Sequence, residues 1–141
     1  MPVTELSDNI RSVYLVSGCV IERDDKYLLV QEVKPAVRGK WNLPAGKAEA
    51  DLTLEENAVK EAKEETGFDV KIINKVGAYY REGDKSVRFA YKAQIIGGDV
   101  DFDKDEIMDV GWLDYEELSK MNEKGELRNY WVFEAISDSR K

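Results

Sequence analysis

One helix, between residues 53 and 67, constrains the fold of this chain more than any other segment. Thr53 and Glu56 form a capping box, the pairing that marks a helix start, and Gly67 is the residue type at which helices commonly end. The last turns carry three carboxylates on one face: Glu61, Glu64 and Glu65. Each like-charged pair costs about 0.2–0.5 kcal/mol, and a carboxylate at the negative end of the helix dipole costs roughly 0.3–1 kcal/mol. Negative charge is therefore concentrated where a helix tolerates it least.

Two interpretations of these glutamates are open from the helix alone. Runs of glutamate on a helix are most often a solvated acidic face. The other interpretation is a divalent-cation site, because Mg²⁺ and similar hard ions prefer oxygen ligands and commonly use few carboxylates together with substrate phosphate. A bound cation would turn the repulsion among the three carboxylates into attraction.

The composition limits the chemistry that this chain can perform. Its 141 residues are enough for one domain with a core, so we expect a single domain over residues 1–141. It has no histidine and a single cysteine, Cys19, which excludes Ser-His and Cys-His catalysis, internal disulfides and most catalytic zinc sites. The net charge of −8 predicts repulsion of nucleic acid and anionic lipid. Small anionic ligands would then need metal ions as intermediaries.

Apolar alternation and turn residues predict a mixture of strands and helices around the central helix. Four strands are predicted, at residues 12–22, 26–32, 70–81 and 86–96, the first two joined by a turn at the sequence DD. A basic loop and the short extended segment WNLPAGK precede the central helix. After a further short strand, a helix is predicted to start near Asp114, and apolar residues from Leu127 to Ala135 at helical spacing predict a C-terminal helix.

No membrane or secretion signal is apparent in the sequence. The first twelve residues lack the basic and apolar regions of a signal peptide. The longest apolar stretch, from Tyr14 to Ile21, is too short to span a bilayer. We therefore expect a cytoplasmic protein without a membrane partner.

The segment from Gly46 to Phe68 resembles the signature of the Nudix hydrolases. That signature is Gly, five residues, Glu, seven residues, then Arg-Glu-aliphatic-x-Glu-Glu-x-Gly-aliphatic. The positions that match it are Gly46, Glu61, Glu64, Glu65 and Gly67. The surroundings agree, with two predicted strands before the segment and GWLDYEEL after two later strands. The resemblance implies an α/β fold, an α/β/α sandwich with a mixed β-sheet.

The same resemblance implies a function and a metal site. Members of this family hydrolyse a nucleoside diphosphate linked to another group and use Mg²⁺ or Mn²⁺. Carried over, the metal ligands are Glu61, Glu64 and Glu65, joined by a backbone carbonyl at Ala45 or Gly46. Phosphoryl transfer requires mainly positioning, a poised water and charge neutralisation from the protein, all of which a chain without histidine can supply.

Two positions depart from the signature. Lys60 stands where the family has an arginine that supports the neighbouring glutamate; it keeps the charge but loses the planar, two-pronged donor. Leu52 replaces a glutamate and can neither bind a metal nor accept a proton, although it can serve as an apolar contact beside the helix cap. Glu49 and Asp51, in the same loop, are candidates for partial substitution.

Substrate recognition is the least constrained part of the prediction. The segment GKWNLPAGK resembles the Nudix branch that acts on oxidised guanine nucleotides and also occurs among ADP-ribose hydrolases. Aromatic faces bind bases without much selectivity, and the candidates for base stacking, each equally suited to be a core residue, are Trp41, Tyr79, Tyr80 and Phe89. A basic loop near the box supplies candidate phosphate contacts, or is simply solvated: Lys34, Arg38 and Lys40.

The general base has two candidate locations. One is Glu61 or Glu64, acting through a metal-bound water whose pKa the ion lowers. The other is the acidic segment DFDKDEIMD, in which Glu106 best fits the position that several Nudix enzymes use relative to Trp112. Alternatives in that segment are Asp103 and Asp105, and all of these acids can equally serve to keep a loop solvated.

Functions of other classes remain open at this stage. A degenerate Nudix module could bind a nucleotide without turnover, as Leu52 and Lys60 would permit. A plain structural domain with an acidic helix face would gain no stability from Mg²⁺ or Mn²⁺. The leading prediction is a metal-dependent pyrophosphohydrolase with a small-molecule nucleotide as its partner, and a homodimer is compatible with the sequence.

Overall fold

The computed structural model describes residues 9–141, so the signal-peptide prediction rests partly on residues outside the described ones. Strands and helices are mixed along the chain, as expected for an α/β protein. In chain order the elements are β1 (Tyr14–Arg23), β2 (Lys26–Glu32), β3 (Trp41–Asn42), β4 (Ala45–Lys47), α1 (Leu54–Thr66), β5 (Phe68–Tyr79), β6 (Ser86–Gly98), β7 (Ile107–Asp114), α2 (Tyr115–Glu123) and α3 (Tyr130–Ser139).

β1 organises a mixed sheet. It pairs in parallel with β6 and antiparallel with β4, and β6 pairs antiparallel with β5. At its other end β1 joins β2 through a tight hairpin whose two turn residues, Asp24 and Asp25, both have positive φ angles of 54° and 62°. Such angles match the twist of the strands in a two-residue hairpin. β2 then pairs with β3 and β7, so the predicted DD turn and the mixed sheet are confirmed.

Helices cover both faces of this sheet. On one face α1 packs its small residues Ala58 and Ala62 against the strands. On the other face α2 and α3 contribute Leu118 and Trp131 to a second core cluster. The α/β/α sandwich is therefore confirmed. Cys19 is buried beneath α1, and burial raises the pKa of its thiol to about 12, as expected for a packing residue.

α1 begins and ends as the capping pattern predicts. The Glu56 N–H donates to Thr53 Oγ1 at 3.1 Å, and the Glu56 side chain accepts from the Thr53 N–H at 2.9 Å. At the other end Gly67 has a φ of 87°. A Cβ at Gly67 would also collide with the backbone of Asp99. Both the left-handed conformation and the close neighbour therefore require glycine.

Lysines offset much of the charge at the end of α1. Lys60 Nζ lies 2.8 Å from the Glu64 carboxylate, and Lys63 Nζ donates to the Gly67 carbonyl at 3.1 Å. Cations near the last carbonyls of a helix stabilise its dipole. The penalty for placing acids there is therefore lower than the glutamates alone would indicate.

The C-terminal helix begins later than the sequence predicts. α3 starts at Tyr130, after Asn129, whose side chain caps its first turn. Leu127 lies outside the helix and forms a parallel bridge with Trp41. The prediction that Leu127 belongs to the helix is wrong, because this residue pairs with β3 instead. Apolar residues at helical spacing cannot reveal such a pairing.

Candidate active site

A cavity of about 420 Å³ lies where β4, the second half of α1 and the segment before β7 meet. Five carboxylates from three parts of the chain line it: Glu32, Glu61, Glu65, Asp105 and Glu106. Like charges held around one cavity repel each other. The cavity therefore favours protons or cations at its acidic end.

Two glycines allow β4 to lie close to its neighbours, α1 on one side and β1 on the other. A Cβ at Gly46 would overlap the carboxyl group of Glu61. A Cβ at Gly18, on β1, would lie 2.6 Å from the carbonyl oxygen of Pro44. Gly46 was singled out by its place in the signature, whereas no local pattern marks Gly18. Gly46 thus lets the Glu61 carboxylate lie directly against β4, and Gly18 lets β4 lie close to β1.

Burial and neighbouring charge change the ionisation of both cavity glutamates on α1. Burial raises the pKa of Glu61, and the nearby Glu64 charge raises it further. Glu65 Oε1 accepts a hydrogen bond from the Ala45 N–H at 2.8 Å. Burial nevertheless raises the pKa of Glu65 to about 9, against the effect of that hydrogen bond. A positive charge beside these two groups would restore their ionised forms.

The register of β4 determines which of its carbonyls faces the helix carboxylates. The Cys19 N–H donates to the Pro44 carbonyl at 3.0 Å. Since hydrogen-bonded pairs alternate along antiparallel strands, the next such pair is Ser17 with Gly46. Ala45 lies between them and directs its N–H and C=O away from β1, which agrees with the donation of its N–H to α1. Of the two carbonyls predicted as ligands, that of Ala45 lies on the side of the glutamates.

Asn57 holds α1 in place on β1 and β4. Its Nδ2 donates to Ser17 Oγ at 2.9 Å and to the Gly46 carbonyl at 3.2 Å, while its Oδ1 accepts from the Glu49 N–H at 3.3 Å. The side chain is fully buried. Its partners lie 8 to 40 residues away in the chain, so Asn57 fixes the helix relative to β4.

Glu64 lies on the more open side of α1 and does not line the cavity. Its side chain is 49% exposed, and Lys60 Nζ bridges it to Glu49 at distances of 2.8 Å and 3.1 Å. These hydrogen bonds raise the pKa of the Lys60 ammonium group. Lys60 thus supports Glu64 as a point charge. Leu52, Glu49 and Asp51 also lie outside the cavity lining, so within the cavity neither Glu49 nor Asp51 replaces the glutamate missing from the signature.

The segment before β7 brings Glu106 to the cavity. The backbone of Asp103 accepts from the N–H groups of Glu106 and Ile107, both at 2.9 Å, and its side chain accepts from the Asp105 N–H at 2.9 Å. Asp103 therefore builds the turn, while Asp105 and Glu106 line the cavity. The structure thus separates Asp103 from Asp105 and from Glu106, the residue that the sequence favoured.

These elements also agree with known proteins. A family model described as a NUDIX domain matches residues 14–134. The chain belongs to the NUDIX family. The matched region begins with β1 and ends within α3, so it includes every strand of the sheet and all of the cavity lining named above.

Individual relatives are about one-third identical to this chain over the regions that align with it. The 8-oxo-dGDP phosphatase NUDT18 of Mus musculus is 33% identical over 102 residues, which are 70% of this chain and 31% of that protein. The NAD-capped RNA hydrolase NudC of Vibrio atlanticus is 31% identical over 121 residues, or 86% of this chain and 45% of that protein. The chain thus spans less than half the length of these curated relatives.

A solved structure agrees over nearly the whole chain. A NUDIX hydrolase from Nitrosomonas europaea superimposes with a TM-score of 0.82 at 27% identity, covering 92% of this chain and 89% of that one. The strand order and the helices on both sheet faces are therefore those of a known NUDIX hydrolase structure.

Among the residues predicted to bind substrate, Lys34 lines the cavity of this NUDIX domain, whereas the others do not. Arg38 and Tyr80 are exposed, and Tyr80 accepts from Arg11 Nη1 at 3.1 Å. Lys40 is likewise not part of the cavity lining. The Trp41 side chain packs against the core near Gly111, and Phe89 packs beneath α1. A contact between any of these side chains and a substrate remains a prediction.

Several cavity residues were missed by sequence reasoning. They are the cations Lys47, Arg88 and Arg128, the acid Glu32, and Asn42. Arg88 carried a usable signal, since it is a charged residue inside the apolar alternation of SVRFAYKAQII. The others lie at strand ends or in connections, where the direction of a side chain cannot be read from sequence.

No preformed metal cage exists among residues 9–141, since no three acidic or sulfur ligands there already converge on one point. Hydrogen bonds hold these ligands apart, since Glu65 accepts from the Ala45 N–H and Glu64 is paired with Lys60.

In the same described part of the chain, none of the helices has the length and apolar character of a membrane span.

Proposed function

We propose that this NUDIX domain is a metal-dependent pyrophosphohydrolase that cleaves a nucleoside diphosphate linked to another group. The observation that carries the proposal is a pair of partly buried carboxylates at the acidic end of one cavity: Glu61, which lies against Gly46, and Glu65, which accepts from the Ala45 N–H. A packed fold gains nothing from two such ionisable groups unless a ligand compensates them.

The donor set fits Mg²⁺ or Mn²⁺. Hard cations prefer carboxylate and carbonyl oxygens, and Glu61, Glu65 and the Ala45 carbonyl supply three of them. Glu64 lies one turn from Lys60, close enough to Glu61 for its charge to raise the pKa of that residue. Release from Lys60 would allow Glu64 to join the set. When bound, the ion would neutralise phosphate charge and lower the pKa of a coordinated water.

The protein's own groups would position the reaction. Asn57 and Gly46 hold α1 and β4 in register, so that the Glu61 and Glu65 carboxylates stay fixed relative to each other. Lys60 balances Glu64. Glu106, across the cavity, is the proposed general base and would accept the proton of the attacking water. Its placement in the cavity supports that role over Asp103.

We propose an oxidised guanine nucleotide as the substrate, supported by the 33% identity to the NUDT18 protein, an 8-oxo-dGDP phosphatase. The alternative substrates are ADP-ribose and sugar nucleotides. One observation favours a non-catalytic nucleotide-binding module instead, namely the 2.8 Å ion pair that engages Glu64 with Lys60. If a metal ion replaced Lys60 as the partner of Glu64, this argument against catalysis would no longer hold.

A hydrolysis screen with Mg²⁺ or Mn²⁺ tests the proposal. The panel comprises GDP, 8-oxo-dGDP, GTP, ADP-ribose, a sugar nucleotide and a dinucleoside polyphosphate, with release of phosphate or nucleoside monophosphate as the readout. Glu65→Gln should abolish most of the activity. Glu116→Gln is the control, because Glu116 is an exposed helix glutamate that pairs with Lys120 and does not line the cavity. Turnover that survives Glu65→Gln would contradict the metal site, and absence of turnover with any substrate would favour the binding module.

A further inference from the structure

Arg88 is a cation held inside the fold at the far end of the cavity. It lies on β6, opposite Val16 on β1 and Tyr79 on β5. Ser17 faces α1 through Asn57, so its neighbour Val16 and the paired Arg88 face the opposite side of the sheet. Only 16% of the Arg88 side chain is exposed. The guanidinium group therefore lies between the sheet and α3, at the wall of the cavity.

One nitrogen of this guanidinium group lacks a hydrogen-bond acceptor. Among the side chains of residues 9–141, Arg88 Nη1 is the one buried nitrogen or oxygen atom without such a partner. Its nearest carboxylate oxygen is Oδ2 of Asp84, at 3.6 Å, which is beyond hydrogen-bond distance. Buried donors are nearly always paired, so an unpaired donor at a cavity wall points to a ligand.

The charge of Arg88 is already balanced. Asp84 lies beside it, and Tyr130 donates its hydroxyl to the same Asp84 oxygen at 2.5 Å. The Arg81 N–H donates to that oxygen as well, at 2.9 Å. Asp84 is thereby fixed as the counterion of Arg88. A cation that already has its counterion is better matched to a neutral acceptor, such as a carbonyl oxygen, than to a second anion.

The position of Arg88 suits the base end of a nucleotide. Lys47, Val16 and Arg88 form one row across three neighbouring strands, which places the Cα atoms of Lys47 and Arg88 about 10 Å apart. Lys47 adjoins Gly46 and so the acidic end of the cavity. Arg88 therefore lies two strands away from Lys47, which adjoins the proposed phosphate site, and this spacing is comparable with the length of a nucleoside. Tyr14 and Trp131 also line this end and offer apolar surface to a ring.

We propose that Arg88 reads the nucleobase, donating from Nη1 to a ring carbonyl oxygen such as O6 of guanine. This inference rests on the proposed function, because it assumes that a nucleotide occupies the cavity with its phosphates at Glu61 and Glu65. A 6-amino purine presents an N–H donor at the position of that carbonyl. Two donors would then face each other, and Nη1 would stay unpaired. The site therefore selects 6-oxo purines over 6-amino purines.

The test compares GDP, IDP and ADP, since the first two carry O6 and the third carries an amino group. With Mg²⁺, the wild-type chain should hydrolyse GDP and IDP with a kcat/KM about 10- to 100-fold above that for ADP. Arg88→Met should lower the values for GDP and IDP by a similar factor and leave ADP unchanged. Lys71→Met is the matched control, because Lys71 is an exposed cation on β5 that does not line the cavity, and it should leave all three values unchanged.

A binding measurement keeps this inference separate from the proposed function. Calorimetric titration of GMP, IMP and AMP in Mg²⁺, where these monophosphates have no anhydride bond to hydrolyse, should show the same preference and the same loss in Arg88→Met. Preferential binding of GMP and IMP without hydrolysis of any diphosphate would overturn the proposed function and support the role of Arg88. An equal loss for all three bases in Arg88→Met would overturn that role, as would a wild-type chain that does not distinguish ADP from GDP. If Arg88→Met does not fold, Arg88→Gln, which retains an N–H donor, should retain part of the preference, and its complete absence counts against the role.

Discussion

Removing the charge of Glu65 should stabilise the metal-free protein in a pH-dependent way. Burial raises the pKa of Glu65 to about 9 in the folded chain, far above the value of about 4.3 for an exposed glutamate. Folding therefore favours the protonated form, and that stabilisation is complete below about pH 4 and is lost as the pH rises towards 9. Glu65→Gln removes the ionisation while Gln Oε1 can still accept from the Ala45 N–H.

The magnitude follows from the distance between the two pKa values. Each pH unit above the unfolded-state pKa costs the wild-type fold about 1.4 kcal/mol. The upper limit of the gain from Glu65→Gln is thus about 4 kcal/mol at pH 7 and about 6 kcal/mol above pH 9. For a chain of this size, about 4 kcal/mol corresponds to a rise in Tm of roughly 14 °C.

Urea unfolding and thermal melting in EDTA at pH 5, 7 and 8.5 measure this effect. Glu64→Gln is the matched control, because Glu64 is half-exposed and pairs with Lys60, so its removal should cost about 0.3–0.5 kcal/mol at any of these pH values. The reasoning would be refuted by a Glu65→Gln variant whose free energy of unfolding equals that of the wild type at pH 8.5. A gain that does not grow with pH would refute it equally.

Three further predictions concern the site. Gly46→Ala should displace the Glu61 carboxyl group, lower the free energy of unfolding by about 1–3 kcal/mol and abolish Mn²⁺-dependent hydrolysis. Gly97→Ala is the control, because a Cβ at Gly97 meets only ordinary contacts. Equal losses of stability and activity in the two variants would contradict the prediction. Glu106→Gln should slow turnover by about 10²–10⁴-fold and leave nucleotide binding in Mg²⁺ nearly unchanged. A rate within a few-fold of wild type at all pH values would mean that the general base is Glu61 or Glu64 on α1. Lys60→Arg combined with Leu52→Glu should raise kcat/KM without changing the preferred substrate, and no gain would mean that the site is built around the present residues.

The sequence by itself determined the features that depend on neighbouring residues. The capping box at Thr53, the stop at Gly67 and the DD turn all rest on interactions within four residues, so their patterns are legible in the printed chain. The acidic face of α1 and its match to the NUDIX signature are local in the same sense. These features sufficed to predict the fold and the location of the candidate site.

Tertiary structure decided how that site is built, because its contacts join residues far apart in the chain. Asn57 reaches Ser17 across 40 positions, and the register of β4 on β1 selects the Ala45 carbonyl. Trp41 and Phe89 were candidates for stacking on a base, yet packing places both against the core. Such outcomes depend on strand pairing and on which sheet face a side chain occupies, which the sequence of a single strand leaves open.

Arg88 illustrates most clearly the difference between what the sequence shows and what the tertiary structure decides. The sequence shows only a charged residue within an apolar strand, a pattern compatible with an exposed edge. The parallel pairing of β6 with β1 turns that residue towards α3, and the hairpin before β6 brings Asp84 beside it. An unpaired donor at a cavity wall arises only from this combination, since hydrogen-bond satisfaction is a property of the assembled fold.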